Sequence, residues 1–86
     1  MNIDEVWNCA VTFGGAHEGQ REEFRSYVEN HPKEFPFEFR FQGLFGFGGK
    51  LRLRKGYFQA DYYPEDKTED REKKLEVLNH NLARLY

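Results

Sequence analysis

Residues 35–42 read FPFEFRFQ, with a phenylalanine at every second position from Phe35 to Phe41. Successive side chains of a β-strand point to opposite faces of the sheet, so a period of two predicts a strand with one buried face. The nine phenylalanines of this 86-residue chain offer large apolar rings to such a face. We therefore expect an antiparallel sheet whose core is rich in phenylalanine.

Downstream of this stretch, two glycine-containing pairs predict tight turns. Gly48-Gly49 and Lys55-Gly56 each fit a two-residue hairpin, with strands at 50–54 and 57–63. The apolar residues change phase after Gly43, which predicts a β-bulge there. With both turns in place, the expected neighbours are Leu44 with Leu53, Leu53 with Phe58, and Leu51 with Ala60. The result is a three-stranded meander.

Upstream, residues 5–13 (EVWNCAVTF) place Trp7, Cys9, Val11 and Phe13 at alternate positions. This alternation predicts a first strand that ends at Gly14-Gly15. A helix is expected from about Gly19 to Asn30, because Pro32 stops it.

A second helix is expected after residue 68, with Thr68 as its N-cap and acidic residues in its first turn. Four leucines follow at steps of three and four residues: Leu75, Leu78, Leu82 and Leu85. Such a leucine seam typically docks on a sheet. The predicted fold is thus α+β, in the order β-α-β-β-β-α. Two helices pack on one face of a three- to four-stranded antiparallel sheet, and residues 1–86 form one domain.

The amino-acid composition indicates the cellular compartment to expect and how charge is distributed along the chain. The single cysteine excludes an internal disulfide, and neither a secretory leader nor a long apolar run is evident, so we expect a cytoplasmic protein without a membrane span. The formal charge is −2, yet residues 39–60 carry five basic residues and no acidic one. The middle of the chain is therefore a basic segment between two acidic ones.

The sheet face away from the leucines is the main candidate site. The expected register puts Phe45 beside Arg52 and Arg54 beside Tyr57. The predicted partner-binding set is Phe45, Phe47, Lys50, Arg52, Arg54, Tyr57 and Gln59. Aromatic rings interleaved with arginines favour cation–π contact, base stacking or a protein hot spot. Alternatively, such pairs have only the structural role of stabilising the sheet. The face would also be unable to bind a partner if the first strand or a helix covered it.

Residues 55–62 (KGYFQADY) resemble the octapeptide of the RNA-recognition motif in their basic residue, glycine and aromatic residues. Gln59 stands where that family has an aromatic residue. The order of a helix, three strands and a helix resembles a double-stranded RNA-binding domain, although acids replace the basic cluster expected at the last helix. These resemblances imply nucleic-acid binding as an alternative function.

Residues suited to catalysis or metal binding are few and scattered. Cys9 is expected in the core, and His17, His31 and His80 show no metal-ligand spacing. The glycines of residues 14–19 match a phosphate-binding loop in spacing, but Gln20-Arg21 replaces its lysine and hydroxyl residue. We expect no enzyme activity and no cofactor.

The sequence therefore predicts a small non-catalytic binding protein, of the accessory, inhibitor or immunity type, that engages a protein partner. A nucleic-acid-binding domain using the same face is the first alternative. A homodimer, formed through that face or through the leucine seam, is the second.

Overall fold

A computed structural model of the chain describes residues 2–30, 37–42, 48–54, 57–62 and 68–85, without the side chains of Phe37 and Arg54. The elements are α1 (Ile3–Gly14), a 3-10 turn (Glu18–Gln20), α2 (Arg21–Asn30), β1 (Phe37–Gln42), β2 (Gly48–Arg54), β3 (Tyr57–Tyr62) and α3 (Glu69–Ala83). The three described strands form one antiparallel sheet in the order β1-β2-β3. The α+β class is confirmed, whereas the predicted element order is wrong at its beginning.

The predicted first strand at residues 5–13 is the helix α1. Asn2 caps it, since its Oδ1 accepts hydrogen bonds from the backbone N–H of Asp4 at 2.9 Å and of Glu5 at 3.4 Å. Gly15 ends it with φ at 70°, the left-handed conformation that glycine adopts without strain. The buried residues of α1 follow helical spacing: Val6, Trp7, Ala10 and Gly14. The alternation from Trp7 to Phe13 was therefore misleading.

The inner face of the sheet, which we define as the face carrying Phe39, Leu51 and Phe58, packs on α1 and α2. Trp7 stacks on Phe24 with ring centroids 5.2 Å apart, and Phe39 meets both rings edge-on. The inner-face residues Phe39, Phe41, Leu51, Phe58, Ala60 and Tyr62 are all at most 5% exposed. The predicted phenylalanine face is confirmed for the described part of the chain.

The predicted hairpin register is right for β2 and β3 and wrong for β1 and β2. Leu53 lies opposite Phe58 and Leu51 opposite Ala60, as expected. On its other side Leu53 lies opposite Phe37, not Leu44. Gly48-Gly49 is not a turn, because both glycines belong to β2.

Gly49 serves close packing instead of a turn. A Cβ at this position would lie 2.6 Å from the ring of Phe41 and 3.0 Å from the carbonyl oxygen of Asp61. The expected bulge at Gly43 and the residues Leu44, Phe45 and Phe47 lie outside the described residues.

Helix α3 begins as predicted, with the Thr68 hydroxyl accepting a hydrogen bond from the Arg71 N–H at 3.2 Å. Its leucine seam joins the core: Leu78 and Leu82 are fully buried, and Leu75 and Leu85 pack partly against them. The helix lies against α1 and along the outer edge of β3. The sequence analysis placed the helix at 19–30 and the helix after residue 68 on one face of the sheet. This prediction is corrected, because α1 and α2 pack on the inner face and α3 lies along the edge of β3.

Both edges of the sheet are hydrogen-bonded by residues outside the strands, through side chains at β3 and through one side chain and one backbone N–H at β1. At β3, Asn79 Oδ1 accepts from the Ala60 N–H at 2.7 Å, and Asn79 Nδ2 donates to the Ala60 carbonyl at 3.0 Å. At β1, the Gln42 N–H donates to Gln20 Oε1 at 2.7 Å and the Gln42 carbonyl accepts from the His17 N–H at 3.0 Å. These bonds hinder the addition of a foreign strand at either edge.

Candidate binding face

The outer face of the sheet is the side opposite the aromatic core. Its described side chains are Glu38, Arg40, Gln42, Lys50, Arg52, Tyr57, Gln59 and Asp61, and none of them is buried. On the inner face, by contrast, Leu53 at the end of β2 is the one described side chain that is exposed, at 37%. An antiparallel sheet with one face in the core and one outside has this alternation.

The structure brings four of the seven predicted binding residues together: Lys50, Arg52, Tyr57 and Gln59 all lie on the outer face. Arg54 pairs with Tyr57 along the backbone, as predicted, but its side chain is not described. The expected neighbour of Arg52 was wrong, because Glu38 and Gln59, not Phe45, lie opposite it. Phe45 and Phe47 lie outside the described residues.

Glu38 is the outer-face residue that the sequence analysis missed. Its carboxylate lies 3.3 Å from Nε of Arg52 and 3.8 Å from Nζ of Lys50, so one acid lies between two cations. Alternation placed Glu38 on the polar side of β1, but the erroneous turn at Gly48-Gly49 paired β2 with residues 44–47 instead. The basic segment of the chain is therefore partly neutralised in the fold.

Arg52 also faces a cleft between β3 and α3. The cleft has a volume of about 330 Å³ and is lined by Arg52, Gln59, Ala60, Asp61, Leu75 and Asn79. Nε of Arg52 is buried and lies near Glu38 without the alignment of a hydrogen bond, while the whole side chain is 30% exposed. Polar groups of Arg52 and Gln59 thus meet an apolar wall supplied by Leu75.

A wider groove of about 790 Å³ runs between α2 and β1. Its lining residues are Glu22, Glu23, Ser26, Tyr27, Asn30, Glu38, Phe39 and Arg40. The carboxylate of Glu38 is already engaged with Arg52 and Lys50. The groove combines an aromatic floor with an acidic rim on α2.

A cluster of ion pairs joins α1 to α2. Arg21 lies 3.4 Å from Asp4 and 2.7 Å from Glu18, donates to Asn8, and Arg25 donates to Asp4. The hydrogen bond from Arg25 lowers the pKa of Asp4, and the hydrogen bond from Arg21 lowers the pKa of Glu18. This arrangement clamps the two helices together.

Cys9, His17 and His80 are the described residues that the sequence analysis considered for catalysis or metal binding, while His31 lies outside the described residues. Cys9 is half-buried against the core on α1, and burial, followed by the nearby Glu5 carboxylate, raises the pKa of its thiol. A raised pKa disfavours the nucleophilic thiolate. His17 caps the 3-10 turn through Nδ1, which accepts from the Gly19 N–H at 3.0 Å. Within the described residues, no three histidine, cysteine or acidic side chains form a group able to hold a metal ion.

No protein-family model, curated protein or solved structure matches this chain. Among the helices of the described residues, none has the length and apolarity needed to cross a membrane.

Proposed function

We propose that this chain is a small non-catalytic binding domain that engages another protein through its outer face. The observation that carries the proposal is the contrast between the two faces. The inner face is filled by α1 and α2, whereas every described side chain of the outer face stays accessible. Small accessory, inhibitor and immunity proteins use domains of this size for such a role.

The chemistry of the outer face favours a protein with acidic groups. Arg40, Lys50 and Arg52 outnumber Glu38 and Asp61, and Arg54 occupies a strand position on the same side. Tyr57 adds an amphipathic ring beside these cations, and tyrosine and arginine are the residue types enriched in protein hot spots. The charge of this face is therefore complementary to acidic side chains of a partner.

A nucleic-acid partner is less well supported. Nucleic-acid affinity grows with the number of phosphates that lysines and arginines neutralise, but Glu38 lies within 4 Å of both Lys50 and Arg52 and offsets their charge. Acidic residues also occupy the first turn of α3, where the double-stranded RNA-binding pattern calls for basic ones.

The leucine seam offers no support for a homodimer through α3. Leu78 and Leu82 are fully buried within their own chain. Dimerisation through that seam would first require α3 to leave the core.

The test is capture of a partner from the native host, identified by mass spectrometry and then repeated with the purified partner. Arg52→Ala combined with Tyr57→Ala should abolish capture and leave the circular dichroism spectrum unchanged. The matched control is Glu5→Ala combined with Thr12→Ala, because both side chains are exposed on α1, across the core. Equal capture by the Arg52/Tyr57 variant and the parent would overturn the proposal. Binding of single-stranded RNA that weakens steeply with salt would assign the face to nucleic acid instead.

A further inference from the structure

The cleft between β3 and α3 differs from the rest of the outer face because it has depth. Its volume of about 330 Å³ is at the low end of the ~300–1,000 Å³ typical of ligand sites. Such a space suits one side chain of a partner better than a whole cofactor. The strand supplies Arg52 and Gln59 on one side, and the helix supplies Leu75 and Asn79 on the other.

The hydrogen-bond donors that line the cleft differ in how many of them are already bonded within the protein. The guanidinium of Arg52 has five N–H donors, and among the described residues its one charged contact is the approach of Nε to Glu38. The side-chain amide of Gln59 makes no hydrogen bond within the described part of the chain. Asn79 is committed to both backbone groups of Ala60. Arg52 and Gln59 therefore remain to bind a guest.

From this arrangement we infer that the cleft receives a carboxylate side chain of the protein partner, an inference that rests on the proposed function. The terminal nitrogens of Arg52 bind the two carboxylate oxygens side by side, which is the geometry that a guanidinium favours. Gln59 donates a further hydrogen bond, and Leu75 packs on the methylene groups of the guest.

Asp61 is expected to make the cleft favour a carboxylate over a phosphate. Its carboxylate lines the cleft, where it accepts a hydrogen bond from the Tyr62 N–H at 2.9 Å. A negative charge in the lining of the cleft opposes a doubly charged phosphate more strongly than a singly charged carboxylate. The cleft therefore discriminates an acidic side chain from a phosphate group.

Nuclear magnetic resonance with a defined probe tests this inference. The probe is the blocked tripeptide acetyl-Gly-Glu-Gly-amide, with its glutamine analogue and inorganic phosphate as comparisons. Saturable shifts of the Arg52 Nε–H and the Gln59 amide are expected from the glutamate peptide alone. Arg52→Gln should weaken this binding at least tenfold. Asp61→Asn should strengthen it and admit phosphate.

The matched control is Arg84→Gln, which removes an exposed arginine that follows α3 and should leave peptide binding unchanged. Equal shifts from the glutamate and glutamine peptides, or unchanged binding by Arg52→Gln, would overturn the carboxylate site. The proposed function is tested separately by Tyr57→Ala. If Tyr57→Ala weakens capture of the purified partner while Arg52→Gln does not, the outer face is a binding surface and the cleft inference alone fails.

Discussion

The side-chain amide of Asn79 takes the place of a fourth strand at the edge of β3. A primary amide presents a donor and an acceptor side by side, as a peptide group does, and Asn79 directs both at Ala60. Without it, a partly buried backbone N–H and carbonyl would lose their partners. One residue thus fixes α3 to the sheet and closes the edge.

Asn79→Ala is expected to lower the free energy of unfolding by about 1–3 kcal/mol, because it leaves partly buried backbone groups without partners. Asn81→Ala is the control, since Asn81 Nδ2 donates to the Val77 carbonyl on the exposed side of the same helix. Its loss should stay within about 0.5 kcal/mol. Urea unfolding followed by tryptophan fluorescence measures both, and equal losses would contradict the edge role of Asn79.

At the scale of elements, α1 and α3 approach closely at Gly14. A Cβ there would lie 2.7 Å from Cδ2 of the buried Leu78. The Gly14 carbonyl also accepts a hydrogen bond from the Tyr62 hydroxyl at 3.2 Å. The glycine therefore permits a three-way contact between α1, α3 and the last strand.

Gly14→Ala should destabilise the protein by about 1–3 kcal/mol, the usual effect of overpacking a core. Leu78→Ala alone should cost about 2–5 kcal/mol by leaving a cavity. The double variant should lose less than the sum of the two, because the new methyl group then enters that cavity. Chemical unfolding of all four proteins measures the coupling, and additive losses would contradict the contact.

The ion-pair cluster between α1 and α2 should make stability depend on pH. The lowered pKa of Asp4 means that the unfolded chain takes up a proton at higher pH than the folded protein does. The stabilisation is present above the ordinary carboxyl pKa of about 3.9 and is lost as pH falls through the lower folded value.

The difference in stability between the parent and Asp4→Asn should therefore be largest near pH 7 and shrink towards pH 3. Urea unfolding at a series of pH values measures it. Glu23→Gln removes the same charge from an exposed position of α2 and should show a smaller difference at pH 7. A constant difference between parent and Asp4→Asn from pH 7 to pH 3 would contradict the clamp.

One aromatic cluster joins α1 and α2 to the sheet and spans the interior of the protein. Trp7 from α1 contacts Phe24 from α2 and Phe39 and Phe41 from β1, and Phe24 also meets Phe58 from β3. Trp7 is the single tryptophan of the chain and is fully buried. Within the part of the chain that the structure describes, its Nε1–H has no hydrogen-bond partner, so the contacts seen there are packing contacts.

Trp7→Ala should cost about 3–5 kcal/mol, a large part of the total stability of a domain this small. Trp7→Phe should cost less, because it keeps most ring contacts and removes a buried donor that lacks a partner. Thermal unfolding followed by circular dichroism measures both variants. A larger loss for Trp7→Phe than for Trp7→Ala would contradict this view of the core.

Features that depend on neighbours along the chain could be predicted from the amino-acid sequence. These are the phenylalanine strand β1, the register of β2 with β3, the helix α2, and the Thr68 cap and leucine seam of α3. Each is encoded by a local period, by the short spacing between β2 and β3 along the chain, or by a capping side chain. The alternation of side chains along β2 and β3 also predicted four residues of the candidate face: Lys50, Arg52, Tyr57 and Gln59.

The remaining features depend on contacts between residues that are far apart along the chain. Trp7 and its neighbours fit both a strand and a helix, and burial against Phe24 and Leu78 selects the helix. Gly49 resembled a turn residue, but it is small because the Phe41 ring lies over it. The pairing of Glu38 with Arg52 joins residues distant in sequence. Such contacts depend on which surfaces the folded chain brings together, and no local pattern encodes them.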